Sequence, residues 1–109
     1  MDKNELLNNK KQLLEWVKQE LIFKRLDLAN LGLSVEEVND NTLLFEKVGL
    51  DLDSVDGLEL AVGIEQKLGL KVGSLKEDAA KTKFATPQSI CDFVLELQLV
   101  KGQSHTSNS

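Results

Sequence analysis

Leu7, Leu14, Val17 and Leu21 recur at helical spacing between Asn4 and Leu26, with Leu6 and Leu13 beside them. Lys10, Lys11, Glu15, Lys18 and Glu20 fill the other faces. The pattern predicts one long amphipathic helix that buries its leucine stripe. From Asp27 to Asn41 this period is lost, which predicts a long loop with a short helical turn. Ser34 is a candidate N-cap there, with Glu37 at capping-box spacing. Asn39, Asp40 and Asn41 form a turn cluster. Thr42 is placed to cap another short turn through Leu43, Leu44 and Phe45, with Gly49 as its candidate C-cap.

The next long period runs from Ser54 to Leu68. Leu60, Ile64 and Leu68 form one apolar stripe, and Val55, Leu58 and Val62 form a second beside it. A helix on the surface of a small domain needs one stripe; the second is extra apolar surface that calls for a partner. Gly57 and Gly63 each weaken such a helix by up to ~1 kcal/mol relative to Ala. They either permit close approach by another chain or ligand or are simply tolerated. Gly69 is the expected helix stop. The form of Gly73 to Lys83 stays open, with a candidate helical stretch at Lys76 to Lys81. Thr86 followed by Pro87 gives an N-cap with proline at the first helical position. The last helix is then expected to run to about Leu99, burying Ile90, Phe93, Val94 and Leu97. These elements predict an all-α domain over residues 1–100, a small bundle of three main helices plus short ones. The loop after the first helix is long, and residues 101–109 are expected to form a disordered polar tail.

Composition narrows the chemistry. The 109 residues are 41% hydrophobic but only 5% aromatic, so the core is aliphatic. One cysteine, Cys91, excludes an intramolecular disulfide and a cysteine zinc cluster. One histidine, His105, leaves little material for a catalytic triad or a histidine metal site. A carboxylate-only Ca²⁺ or Mg²⁺ site stays open, but Asp51, Asp53 and Ser54 lack the glycine and distal glutamate of an EF-hand loop. No carboxylate can be assigned an acid or base role, so the chain reads as a non-enzyme. No apolar run approaches the roughly 18 residues that span a bilayer, and Met1 to Lys11 is too polar for a signal peptide. A cytoplasmic protein is expected.

Charge is unevenly spread. The chain carries a net charge of −5, yet residues 31–66 alone carry nine acids and one base. No base occurs anywhere from residue 48 to residue 66. Such a segment repels nucleic acid and suits a basic protein surface. Ser54 stands inside it, where a loop gives way to a helix. It has two readings. A serine at that junction is first of all a helix cap. It is also well placed to carry a phosphate, because a helix N-terminus offers free N–H groups and the positive end of a dipole. Asp51, Asp53, Asp56, Glu59 and Glu65 surround it, and the strip of Val55, Leu58 and Val62 runs away from it. An exposed hydroxyl beside an apolar strip bordered by acids describes an attachment point next to a docking surface. Favourable placement of acids at a helix start explains Asp56, but not the absence of bases across the whole stretch.

The run Asp53-Ser54-Val55 followed by Leu58-Glu59-Leu60 resembles the Asp-Ser-Leu signature of acyl carrier proteins. Phe45 to Leu52 is similar to the family's approach to its serine, Ile64 to Gly69 to its helix end, and Lys83 to Val94 to the start of its last helix. The similarity spans roughly Leu13 to Leu97. It implies a 4′-phosphopantetheine arm attached to Ser54 by a phosphopantetheinyl transferase, with acyl groups held as thioesters on the arm. It implies that Asp53, Val55, Asp56, Leu58, Glu59, Val62 and Glu65 meet acyl-transferring and condensing enzymes with basic docking patches. It further implies that Leu60, Ile64, Phe84 and Phe93 line an interior where an acyl chain shelters, although each also reads as an ordinary core residue. The carrier is expected to be a monomer. Cys91, between Ile90 and Phe93, is expected to pack rather than react, since the working thiol belongs to the arm.

The chain also departs from the family. Val55 replaces the commoner leucine, Gly57 and Gly63 interrupt the helix, and Gln66 and Lys67 replace acids. The segment Gly73 to Lys83 looks longer, and the first helix extended. These departures suggest a specialised carrier rather than one for bulk fatty acid synthesis; fatty acyl, polyketide, aryl and aminoacyl cargoes all stay open. A peptidyl carrier, or an unmodified helical module that binds a basic partner, are the alternatives.

Overall fold

The computed structural model describes residues 3–73 and 81–107. All regular structure among them is helical. Helix α1 (Lys3–Leu7) is followed by α2 (Lys10–Trp16), which continues directly as a π-helix, Val17–Lys24. Helix α3 spans Ser54–Leu68 and α4 spans Pro87–Ser107. Single 3₁₀ turns occupy Leu28–Leu31 and Val35–Glu37, and residues 81–83 are helical.

The single helix expected from Asn4 to Leu26 is thus two helices. The break falls at Asn8 and Asn9. Asn9 adopts an extended backbone (φ −131°, ψ 99°), and its side chain accepts the Gln12 N–H at 3.2 Å. Asparagine is a poor interior helix residue and a good cap, so two in a row favour a restart over continuation. Further on, the hydrogen-bond register widens, with Arg25 N–H donating to the Glu20 carbonyl at 3.1 Å, five residues back. Val17, Leu21 and Ile22 are all buried as a result, on the same side as Leu13. Leu7 and Leu14 are only half-buried, so the inward stripe is rotated from the expected one. Each of these four fully buried side chains contributes about 1.5–3 kcal/mol.

The loop behaves as expected at Ser34, whose N–H donates to the Glu37 carboxylate at 2.8 Å in a capping box. Thr42 does not start a new helical turn. Its hydroxyl accepts the Asn39 N–H at 2.7 Å and donates to the Glu37 carbonyl at 3.3 Å, closing the turn before it. Residues 44–50 are bends and turns, so Gly49 caps no helix. Instead the chain folds back on itself there: Leu50 N–H donates to the Leu43 carbonyl at 2.9 Å and Leu52 N–H to the Leu44 carbonyl at 2.8 Å. A Cβ on Gly49 would lie 1.8 Å from the Leu43 carbonyl oxygen, which is why the position has none. The same loop is tied to the start of α4 by Leu44 N–H to Ala85 carbonyl and Gln88 N–H to Asp40 carbonyl, both at 2.9 Å.

Helix α3 ends as expected at Gly69, in the left-handed conformation with φ 69°. Helix α4 starts on Thr86, whose hydroxyl accepts the Ser89 N–H at 3.0 Å while the Ser89 hydroxyl accepts the Thr86 N–H at 2.9 Å. It runs to Ser107, past the end expected near Leu99 and through most of the expected tail. One glycine, Gly102, costs about 1 kcal/mol in a helix interior, too little by itself to stop a helix of this length. Residues 74–80, which hold most of the candidate stretch at Lys76 to Lys81, lie outside the described residues.

The π-helical continuation of α2 packs against both α3 and α4. Leu13, Val17, Leu21, Leu60, Ile64, Phe84, Ile90 and Val94 meet in the core between them, joined by Leu28, Leu44 and Leu52 from the loop. No helix among the described residues is long and apolar enough to cross a membrane.

Candidate functional site at the start of helix α3

Helix α3 is started by Asp53, not by Ser54. Asp53 has an extended backbone (φ −109°, ψ −176°), and its carboxylate accepts the Asp56 N–H at 3.0 Å. The Asp56 carboxylate reaches back and accepts the Asp53 N–H at 3.1 Å. This reciprocal pair satisfies two donors that the helix start would otherwise leave open. Of the two readings of Ser54, the cap is therefore excluded. Ser54 is the first helical residue and exposed, and among the described residues no group hydrogen-bonds to its hydroxyl. The local field is mixed. The dipole end favours an anion, while Asp53 and Asp56 already supply negative charge to it.

Around this hydroxyl the surface is apolar and acidic. Val55 is 70% exposed and Leu58 65% exposed, while Val62 is half-buried. Val48, in the turn that leads into α3, is 88% exposed. Asp51 and Asp53 are exposed beside them, and Asp51 holds a left-handed backbone with φ 53°. The structure thus brings Ser54, Asp53, Val55, Asp56 and Leu58 together at one end of α3.

Glu59 and Glu65 stand differently. The Glu59 carboxylate pairs with the Arg25 guanidinium at 3.0 Å. The Glu65 carboxylate accepts the N–H groups of Val72 and Gly73 at 2.9 and 3.1 Å, holding the chain that leaves α3. Both acids are engaged inside the molecule. Leu60, Ile64, Phe84 and Phe93 are buried in the core, with the Phe84 and Phe93 rings edge to face at 5.6 Å. One groove of about 410 Å³ is lined by Leu33, Thr42, Leu43, Val48 and Leu50. Another, of about 350 Å³, lies between Trp16, Lys24, Arg25 and Lys67.

The two glycines of α3 are explained within the chain. A Cβ at Gly63 would lie 2.6 Å from Leu21 Cδ1, 2.8 Å from Arg25 Cδ and 2.9 Å from Arg25 Nε. The absent side chain lets the π-helical segment cross α3 in close contact. Gly57 faces the Phe45 ring, at 3.4 Å from the same virtual atom. Sequence reasoning missed Arg25 and Val48. Arg25 is one of six bases in the first thirty residues, and only the bare Gly63 opposite it hinted at a role.

Cys91 is fully buried, and that burial pushes its thiol pKa upward. It packs, as expected, rather than presenting a thiolate. Among the described residues no group of three or more His, Cys, Asp or Glu is placed to hold a metal ion. No protein-family model matches the chain, and comparison with curated proteins and with solved structures finds no match either.

Proposed function

We propose that the chain is an acyl carrier protein, in which Ser54 holds acyl intermediates on a covalent 4′-phosphopantetheine arm and presents them to partner enzymes. The observation that carries this reading is the division of labour at the start of α3. Asp53 does the capping, so Ser54 is left with an exposed hydroxyl that the fold does not use. Val55 and Leu58, on the helix that Ser54 opens, and Val48, in the turn before it, leave apolar surface uncovered within a stretch free of bases. A phosphodiester on Ser54 Oγ would lie at the positive end of a fifteen-residue helix, with solvent to screen it from Asp53 and Asp56. The chain itself needs no catalytic group in this role, because the reactive thiol arrives with the arm.

A phosphopantetheinyl transferase would load the arm from coenzyme A, and acyl-transferring and condensing enzymes with basic patches would use it. Val55, Gln66 and Lys67, where the family more often has leucine and acids, support a specialised pathway. A cytoplasmic monomer fits this role. The experiment is intact mass after incubation with coenzyme A and a broad-specificity transferase. A gain of one phosphopantetheinyl unit, lost in Ser54→Ala, is expected; no gain, or a gain that survives the substitution, overturns the reading.

A second reading draws on the same strip. Val48, Val55 and Leu58 are exposed whether or not Ser54 carries anything, so an unmodified module could dock a basic partner through them. In that case Ser54→Ala leaves binding intact.

A further inference from the structure

Arg25 lies across helix α3 and is held at three points. Its Nε donates to the Glu59 carbonyl at 3.1 Å, its Nη2 donates to Gln66 Oε1 at 3.2 Å, and the same Nη2 pairs with Glu59 Oε1 at 3.0 Å. Its side chain is only 19% exposed. Gly63 lies four residues beyond Glu59 on that face, and its missing Cβ makes room for the arginine stem. By helical register, Glu59 and Gln66 border the strip of Val55, Leu58 and Val62 on one side, and Glu65 borders it on the other. Glu65 is held by the N–H groups of Val72 and Gly73. Unlike Glu59, the acids nearest Ser54 form no ion pair with any base among the described residues: Asp53 and Asp56 accept each other's N–H groups, and Asp51 is exposed.

We propose that Arg25 is a built-in stand-in for a partner's basic side chain: it occupies Glu59 and confines docking on α3 to the end that carries Ser54. The inference rests on the carrier reading of Ser54. A partner that approaches with a row of bases along the whole helix finds its middle acid already taken. It must displace a part-buried guanidinium with three acceptors, and the lost hydrogen bonds are made good only if its own base is equally well oriented. A partner whose bases cluster near Asp51, Asp53 and Asp56 meets no such competitor. Arg25 therefore acts as a specificity determinant through Glu59, and it selects against enzymes that read the full length of α3.

The test uses the full chain, coenzyme A and a phosphopantetheinyl transferase whose basic side chains span the length of a docked carrier helix, following the mass gain to obtain the KM for the protein substrate. Arg25→Met keeps the stem over Gly63 and removes the charge. It is expected to lower KM several-fold with kcat little changed. Arg25→Lys returns a cation to Glu59 and should bring KM back toward the original value. The double variant Arg25→Met with Glu59→Gln should lose the gain, which a merely structural role for Arg25 would not require. If Arg25→Met fails to fold by circular dichroism, Arg25→Gln carries the same comparison. A KM that is unchanged or raised in the folded variant, or a gain that persists in the double variant, overturns the proposal. Absence of any mass gain on the unsubstituted chain instead overturns the carrier reading, and this inference with it.

Discussion

Removing the Asp53 carboxylate takes away the acceptor for the Asp56 N–H, and no neighbouring group replaces it. Loss of such a cap costs about 1 kcal/mol. Asp53→Ala is therefore expected to lower the urea unfolding free energy by about that amount. Ser54→Ala touches no hydrogen bond among the described residues and is expected to change it by less than about 0.5 kcal/mol. A cost for Ser54→Ala equal to that for Asp53→Ala would mean that the serine caps after all. At the same scale, burial holds Cys91 as a neutral thiol. Its reaction with an aromatic disulfide reagent at neutral pH is expected to be slow until denaturant opens the core, when it should become that of a free cysteine. Adjacent polar residues at a helix start read alike in sequence. Only the backbone angles and the reciprocal bonds between Asp53 and Asp56 tell which one caps.

Helix α3 was legible as an element from its apolar period between Ser54 and Leu68 and from the glycine at position 69, although its cap is Asp53 and not the serine. Ser34 with Glu37 and Thr86 with Pro87 were legible as local capping signals. The first helical region was less legible. Its π-helical register is fixed by what it packs against, not by its own period. The turns at 43–52 were not legible as drawn, since they are held by bonds between Leu43 and Leu50, Leu44 and Leu52, and Leu44 and Ala85. Pairings of that kind leave no periodic trace. Of the candidate site, Ser54 and its exposed strip could be read, while the engagement of Glu59 by Arg25 could not, because the two are thirty-four positions apart. The two glycines of α3 make a matched test of this crossing. At Gly57 an added methyl meets Phe45 at ordinary contact distance, so Gly57→Ala should keep the helix-propensity gain of up to ~1 kcal/mol. At Gly63 the methyl would press on Leu21 and Arg25, and overpacking of that kind costs about 1–3 kcal/mol. Thermal unfolding should shift upward or not at all for the first and downward for the second. A stabilising Gly63→Ala would show that the two helices are not in close contact there.

The whole molecule is tied together at Asp40. Its carboxylate holds Lys18 Nζ at 2.7 Å, which anchors the loop to the first helical layer, and its carbonyl accepts the Gln88 N–H, which anchors it to α4. The Lys18 pKa is raised from 10.5, chiefly by the hydrogen bond to Asp40 and against the opposing effect of burial, with Glu15 adding to the rise. The Cys91 pKa is raised from 9.0 by burial, with the nearby Asp92 adding to it. Both shifts keep a proton on the folded chain at pH values where the unfolded chain has lost it. Stability linked to each group is then fully present below its unfolded pKa and is lost as pH rises through the folded one. The thiol acts first, from about pH 9.0, because only the unfolded chain ionises there. The ammonium follows beyond about pH 10.5, as the unfolded chain sheds a proton that the folded chain still holds on Lys18 Nζ against the Asp40 carboxylate. The urea midpoint is therefore expected to fall in two stages on the alkaline side. Cys91→Ala should lower the midpoint overall but abolish the first stage, and Lys18→Met should abolish the second. If the fall above pH 9 is the same in Cys91→Ala as in the original chain, the thiol is not its source. If Lys18→Met still loses stability above pH 10.5 at the original slope, the tie between the first helical layer and the Asp40 turn is not what titrates.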